Sequence, residues 1–177
     1  MSILSAYMLP HPPLIVPEIG KGQENAISRT TEACHEAARR IGDLQPDTII
    51  LISPHQTMYS DYFHISPGKG AKGSFSQFRA GNVKMEVSYD TVFVQKLCEL
   101  ADRDTFPAGT YGEQNKYLDH GTMVPLYFVN LYFRSYRLVR IGLSGLPLIR
   151  HYELGQLIKE TSNTLGRRTV LIASGDL

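Results

Sequence analysis

Two hydrophobic patterns alternate along the chain. Short runs of consecutive apolar residues predict buried strands at residues 2–8, 47–53, 136–144 and 168–174. Between these runs, apolar residues that recur every three or four positions predict helices at residues 23–41, 90–103 and 152–166. Such alternation favours an α/β fold, in which helices cover both faces of a mostly parallel, mixed sheet. We therefore predict a single domain over residues 1–177 with three layers, α/β/α.

The strand at residues 47–53 indicates the kind of sheet. Its sequence, DTIILIS, is apolar on both faces, which is typical of a parallel strand covered by helices on both sides. Together with the strand at residues 2–8 and the helix between them, it forms a βαβ unit. The connecting stretch LPHPPLIVPEIGKG, residues 9–22, is predicted to be a loop, because proline removes backbone donors and restricts the residue before it.

Two segments in the middle of the chain depart from the alternation. Residues 62–66 and 73–89 form short alternating runs, which predict antiparallel strands or a hairpin, with PGKGAKG at residues 67–73 as a mobile loop. Residues 121–133 are hydrophobic almost all round and form either a buried helix or a buried strand. We favour a helix, since Asp119 can cap its N-terminus and Pro125 suits its first turn.

The composition is that of an ordinary folded domain. The 177 residues are 42% hydrophobic, and 18 basic against 17 acidic residues give a formal net charge of +1. Because the basic residues are scattered, we expect no nucleic acid partner. No segment has the roughly 18 apolar residues that a membrane span needs, and the N-terminus lacks the pattern of a signal peptide. We expect a cytoplasmic location without membrane association, with Cys34 and Cys98 as free thiols packed on helix faces.

Candidate chemistry lies where the predicted strands end. His11 follows the first strand and His55 the second, and Pro10, Pro12 and Pro54 restrict the backbone beside them. Open α/β sheets bind ligands at the carboxyl ends of their strands, where these two histidines should meet. A single histidine there could simply cap a strand through backbone hydrogen bonds. A rigidly held pair favours metal binding, because neutral imidazole suits Fe, Zn, Cu or Ni.

Further polar residues occur near the same edge of the sheet. A facial iron site needs a third ligand, and the sequence offers Glu18 in the first loop and Asp176, after Ser174 at the last strand end, without deciding between them. His120, beside Asp119, can act as an acid–base group or donate a hydrogen bond to substrate, but it can equally be a helix-start histidine bonded to backbone. For the other histidines we predict solvent exposure or simple packing: His35, His64 and His151.

Four short motifs follow one another in a recognisable order. HPP follows the first strand, SPH follows the second, LDHGTMVPL opens the hydrophobic segment and SGDL follows the last strand. This ordered set resembles the class III extradiol ring-cleavage dioxygenase superfamily, with its LigB-like fold, over essentially the whole chain. It resembles more closely the LigB-like domain found fused or adjacent to the AmmeMemoRadiSam system protein A, whose relatives include the Memo proteins.

The resemblance implies a mononuclear non-haem Fe(II) bound by two histidines and a glutamate, with O₂ and a catecholic substrate at the open positions. His11 and His55 match the two ligand histidines, and His120 matches an active-site histidine that contacts substrate or oxygen. In the family, an acid–base histidine and the glutamate ligand follow the SGDL motif. We therefore expect this chain to be incomplete at its C-terminus. A fused or adjacent partner domain and a homo-oligomer are both compatible with the resemblance.

The leading hypothesis is thus an extradiol ring-cleavage dioxygenase, an oxidoreductase that acts on a small catecholic aromatic substrate. The alternative is a Memo-like, metal-binding accessory or interaction protein that does not cleave rings. A zinc-dependent hydrolase is a third hypothesis, because zinc or another divalent metal can replace iron at histidine ligands. The motifs GxxxxGKS/T, CxxC and GxSxG do not occur, so the chain lacks the sequence features of P-loop nucleotide binding, zinc ribbons and serine hydrolases.

Overall fold

The computed structural model describes residues 3–175, in which strands and helices alternate as the hydrophobic pattern predicts. The elements are β1 (Ile3–Pro10), α1 (Pro17–Gly20), α2 (Ser28–Leu44), β2 (Thr48–Ser53), β3 (Phe63–His64), β4 (Gly70–Phe75), β5 (Ala80–Ser88), α3 (Thr91–Arg103), β6 (Ala108–Gly109), α4 (His120–Tyr132), β7 (Arg137–Gly142), α5 (Leu148–Leu165) and β8 (Thr169–Gly175). Short 3-10 turns add Pro13–Ile15, Gln23–Ile27 and Ser76–Phe78.

The central sheet has four strands in the order β1-β8-β2-β7, and each neighbouring pair is parallel. Helices α2 and α4 pack on one face of this sheet, and α3 and α5 pack on the other. In β2, Ile49 and Leu51 belong to the first core and Ile50 to the second, and all three are fully buried. The predicted three-layer α/β/α fold with a central parallel sheet is confirmed.

The predicted hairpin is also confirmed, since β4 and β5 pair antiparallel. Residues 70–73, predicted to lie in a mobile loop, instead form the start of β4. They pack closely, because a Cβ on Gly73 would lie 2.6 Å from Met123 Sδ at the start of α4.

Residues 68–73, GKGAKG, have GxGxxG spacing, but they enter a hairpin strand and do not form the strand-to-helix turn that dinucleotide binding requires. The short strand β3 differs from prediction because it pairs parallel with β6.

The proline-rich stretch at residues 9–22 is not one irregular loop. β1 extends to Pro10, and the stretch contains both the 3-10 turn Pro13–Ile15 and the helix α1. Each of these begins with a proline. The backbone N–H of the first helical residue has no acceptor within the helix, so a residue that lacks this N–H fits there. The predicted helix at residues 23–41 likewise begins as the 3-10 turn Gln23–Ile27 before α2.

The hydrophobic segment at residues 121–133 is a buried helix, α4, as favoured from the sequence. Asp119 caps it as predicted, because its carboxylate accepts a hydrogen bond from the backbone N–H of Thr122. The helix begins at His120, so Pro125 lies in the second turn. The prediction that this proline lies in the first turn is wrong. Within residues 3–175, no helix combines the length and the hydropathy that a membrane crossing requires.

Candidate metal centre

The candidate site lies at the carboxyl edge of the parallel sheet, where β1, β8 and β2 end side by side. His11 follows β1 directly, and its backbone N–H donates to Gly175 O of β8 at 3.2 Å. His55 follows β2 by two residues, and His120 is the first residue of α4. Parallel pairing therefore brings together three histidines that are far apart in sequence, as the strand-end argument predicted for His11 and His55.

The imidazole rings of His11, His55 and His120 form one compact cluster. One nitrogen from each ring lies within 4.8 Å of the others, and the Nε2 atoms of His11 and His55 are 3.0 Å apart. The ring centroids of His55 and His120 are 3.9 Å apart. His11 is buried, His120 is half-buried and His55 is exposed. The cluster is thus held by the protein on one side and open to solvent on the other, as a site for a metal and a substrate requires.

A short hydrogen-bond chain fixes the backbone around His55. Ser53 Oγ accepts from the backbone N–H of His55 at 3.2 Å and donates to Asp119 Oδ1 at 2.6 Å. Asp119 also accepts from the backbone N–H and the hydroxyl of Thr122, at 2.9 and 2.8 Å. The carboxylate of Asp119 therefore joins the end of β2 to the start of α4, and so links the backbones that carry His55 and His120.

Gly121 permits the close contact between α4 and the end of β2. A Cβ at this position would lie 2.6 Å from Ser53 Oγ and 3.0 Å from His55 Cδ2. Both distances are too short for an ordinary side-chain contact, so any larger residue would push the helix away from the loop. The glycine of the LDHG motif therefore has a physical role that the sequence did not reveal.

A cleft of about 390 Å³ opens beside His55 and His120. The hairpin contributes Ser74 and Gln77 to the lining of this cleft, and the rings of Phe78 and His120 form a T-shaped pair with centroids 5.5 Å apart. Sequence reasoning missed these residues, because it predicted the hairpin without predicting where the hairpin packs. A volume of this size is in the range of small-molecule sites.

The candidate carboxylate ligands do not join the cluster in the described part of the chain. The carboxylate of Glu18 accepts a hydrogen bond from the hydroxyl of Tyr127 at 3.0 Å, and burial together with this carboxylate raises the pKa of Tyr127 to about 12. Asp176 lies outside the described residues. Within residues 3–175, the group of side chains that could hold a metal here consists of three histidines.

A buried polar cluster supports the chain just after His55. Gln56 donates to Ser66 Oγ at 2.7 Å, and its Oε1 accepts from Arg140 Nε at 3.0 Å. Arg140 is 3% exposed, and its Nη1 donates to the backbone oxygen of Tyr117 at 3.0 Å. His64 also contacts Gln56, at 3.2 Å, and burial lowers its pKa. His64 is thus packed inside the protein, as predicted, but it lies in a polar network that the sequence pattern did not indicate.

The other two histidines lie away from the cluster, as predicted. Nδ1 of His35, on α2, is 3.0 Å from the hydroxyl of Tyr132. His151, on α5, contacts the ring of Phe63 edge-on with centroids 4.7 Å apart. Neither is part of the group that could hold a metal.

The sequence is similar to a known protein family and to a curated protein. The sequence model of the family described as "Catalytic LigB subunit of aromatic ring-opening dioxygenase" matches residues 5–177. A protein of Clostridium acetobutylicum named "Protein CA_C1420" is 40% identical over 184 aligned positions, which cover 100% of this chain and 39% of that protein. The chain thus spans about two fifths of the length of this relative, whose name states no function.

Proposed function

Because the chain belongs to the family of the catalytic LigB subunit of aromatic ring-opening dioxygenase, we propose that it is an extradiol-type dioxygenase. In this proposal it is an oxidoreductase that uses Fe(II) and O₂ to open the ring of a small catecholic substrate. The observation that carries the proposal is the cluster of His11, His55 and His120 at the carboxyl edge of the sheet. The family supports the type of reaction, and the cluster supports a metal at this edge.

The donors at this edge fit a divalent metal. With imidazole–metal distances of about 2.0–2.1 Å, two neighbouring ligand nitrogens lie about 3 Å apart, and the Nε2 atoms of His11 and His55 are separated by 3.0 Å. We assign these two histidines as ligands. Fe(II) bound there would supply the one-electron chemistry that lets O₂ react with a catecholate. A facial iron site also needs a carboxylate, which we expect from outside residues 3–175.

His120 is assigned to the substrate. Its ring contacts the rings of His55 and Phe78, and it lines the 390 Å³ cleft. From this position an imidazole nitrogen can accept the proton of a substrate hydroxyl or donate a hydrogen bond to a substrate oxygen. The uncharged side chains of Ser74 and Gln77, which also line this cleft, can hydrogen-bond to further substrate hydroxyls.

Oxygen uptake tests the proposal directly. The chain and the complete gene product are loaded anaerobically with Fe(II) and mixed with O₂ and a panel of catechols that includes protocatechuate. We expect oxygen consumption matched by ring-opened product, loss of turnover in His55→Ala, and unchanged turnover in the control His35→Ala. No oxygen uptake by either protein with any catechol would show that the proposed reaction is wrong.

A second candidate is a Memo-like, metal-binding accessory protein, which the cluster fits if it holds a metal without redox chemistry. Three imidazoles are also a zinc donor set, and zinc would supply no redox chemistry. Metal analysis of protein purified without chelator separates the candidates. Stoichiometric zinc without catechol turnover favours the accessory protein, and zinc with hydrolytic turnover favours the hydrolase.

We also propose a cytoplasmic location, supported by two cysteines that form no disulfide. Cys34 is buried, and burial raises the pKa of its thiol to about 11, so this thiol stays protonated and unreactive at neutral pH. Cys98 is half-buried. A homo-oligomer and a fused or adjacent partner domain stay predictions, and size measurement of the complete gene product tests both.

A further inference from the structure

The hydroxyl of Ser174 connects the metal-site histidine His11 to the helix α4. Ser174 Oγ lies 2.9 Å from His11 Nδ1 and 2.5 Å from the backbone oxygen of Gly121. Both Ser174 and His11 are buried, with 8% and 1% of their surface exposed. Water therefore competes little for these hydrogen bonds, and their donors and acceptors must match one another within the protein.

The backbone oxygen of Gly121 is available because of Pro125. In a regular α-helix this oxygen would accept from the N–H four residues later, and that residue is Pro125, which has no N–H. The proline in the second turn of α4 therefore frees a carbonyl inside the helix. Ser174, at the end of the neighbouring strand β8, supplies the missing donor.

The positions of the hydrogens follow from this arrangement. Two oxygens 2.5 Å apart repel one another unless a proton lies between them, and a backbone carbonyl has no proton to give. The single hydroxyl proton of Ser174 must therefore point at Gly121 O. Its oxygen is then an acceptor toward His11, so His11 Nδ1 must carry a proton and donate it.

We propose that Ser174 is a positioning residue that holds His11 in the Nδ1–H tautomer and thereby directs the lone pair of Nε2 into the metal site. The neutral imidazole has one N–H, so a proton on Nδ1 leaves Nε2 as the acceptor. Nε2 is the atom that faces His55 Nε2 at 3.0 Å. A metal ligand needs this unprotonated nitrogen, and the partner of the other ring nitrogen decides which tautomer forms.

The functional meaning of this inference rests on the proposed metal site, but the tautomer is a property of the metal-free chain. Loss of a hydrogen bond that orients a ligand histidine typically lowers metal affinity roughly 10- to 100-fold. Ser174→Ala should therefore weaken metal binding by that factor. Ser174→Thr keeps a hydroxyl and should retain most of the affinity. Ser162→Ala is the matched control, because Ser162 is also buried and also donates to a backbone oxygen, that of Arg167.

The test combines ¹⁵N NMR of the histidine rings with Zn²⁺ binding by calorimetry, on the 177-residue chain. In metal-free protein at neutral pH, we expect His11 to show a protonated Nδ1 and an unprotonated Nε2 in the parent, in Ser174→Thr and in Ser162→Ala. In Ser174→Ala we expect a shift toward the Nε2–H tautomer and weaker Zn²⁺ binding.

A protonated Nε2 in the parent, or an unchanged tautomer in Ser174→Ala, would overturn the inference. Should the alanine variant not fold, the tautomer of His11 in the parent and in Ser174→Thr still tests the inference. Failure of the parent to bind Zn²⁺ or Fe(II) would argue against the proposed metal site, while the NMR spectra would still confirm or reject the role of Ser174.

Discussion

Ser53 Oγ donates to Asp119 Oδ1 at 2.6 Å, and this one hydrogen bond joins the loop that carries His55 to the helix that carries His120. The same carboxylate caps α4 through Thr122. A residue that appeared in the sequence as a helix cap thus also sets the spacing between two histidines of the site.

Asp119→Ala should destabilise the fold and weaken metal binding. The change removes an N-cap and leaves the Ser53 hydroxyl without its acceptor, so we expect a loss of about 2 kcal/mol in the free energy of unfolding. Urea unfolding and Zn²⁺ calorimetry measure the two effects. Asp119→Asn is the control, since asparagine caps helices about as well as aspartate. An alanine variant with unchanged metal affinity would show that the link between Ser53 and Asp119 does not position the histidines.

Gly121→Ala should be destabilising although alanine is the better helix former. The added Cβ would lie 2.6 Å from the oxygen of the buried Ser53 and 3.0 Å from the His55 ring. We expect a loss of about 1–3 kcal/mol in the free energy of unfolding, together with weaker metal binding. Gly155→Ala in α5 is the matched control. Gly155 has nothing within 4 Å of its added Cβ, so this change should stabilise the chain by about 0.5–1 kcal/mol. Equal effects at the two glycines would contradict the crowding argument.

Arg140→Met should destabilise the chain, because it leaves hydrogen-bond acceptors without their donor. Arg140 is buried and donates to Gln56 Oε1 and to the backbone oxygen of Tyr117. Methionine fills similar space but donates nothing, and the buried Gln56 Oε1 that is left without this donor costs about 1–3 kcal/mol. We expect a lower urea midpoint and, since Gln56 adjoins His55, weaker Zn²⁺ binding. Arg39→Met, at an exposed ion pair with Glu36 on α2, should leave both unchanged. A stable Arg140→Met variant would show that solvent reaches these acceptors.

The layers of the fold could be predicted because burial leaves a local pattern. Ile49, Ile50 and Leu51 are apolar in succession since β2 has a helix layer on each face, and a sequence window records this directly. The same reasoning predicted that His11 and His55 lie close together, because the carboxyl ends of parallel strands meet at one edge of the sheet. Local signals also identified Asp119 as a helix cap, which depends only on the next three residues.

The rest of the site depends on contacts between distant segments, which no local period encodes. Phe78 packs against His120 because the hairpin folds back over α4. Ser174 was noted at a strand end, but its two partners are His11, which follows β1, and Gly121 in α4. The error in the position of Pro125 has a different, local cause: with Asp119 as the N-cap, His120 is the first helical residue and Pro125 the sixth, which lies in the second turn. No local pattern encodes that Ser174, 49 positions further along the chain, donates to the Gly121 oxygen that this proline leaves without an N–H.

His64 should make the stability of the chain depend on pH. It is buried in β3, and burial lowers its pKa from the ordinary value of 6.5, so the folded chain favours the neutral ring and the unfolded chain binds the proton more readily. The stability contributed by neutral His64 is complete above a pH of about 6.5 and is lost as the pH falls below it. His64→Gln cannot take up this proton. We therefore expect the parent's free energy of unfolding, relative to that of His64→Gln, to fall as the pH is lowered from about 8 to about 5. Urea unfolding of both proteins at each pH measures this difference. A difference that does not vary with pH would show that His64 binds its proton equally well in the folded and the unfolded chain.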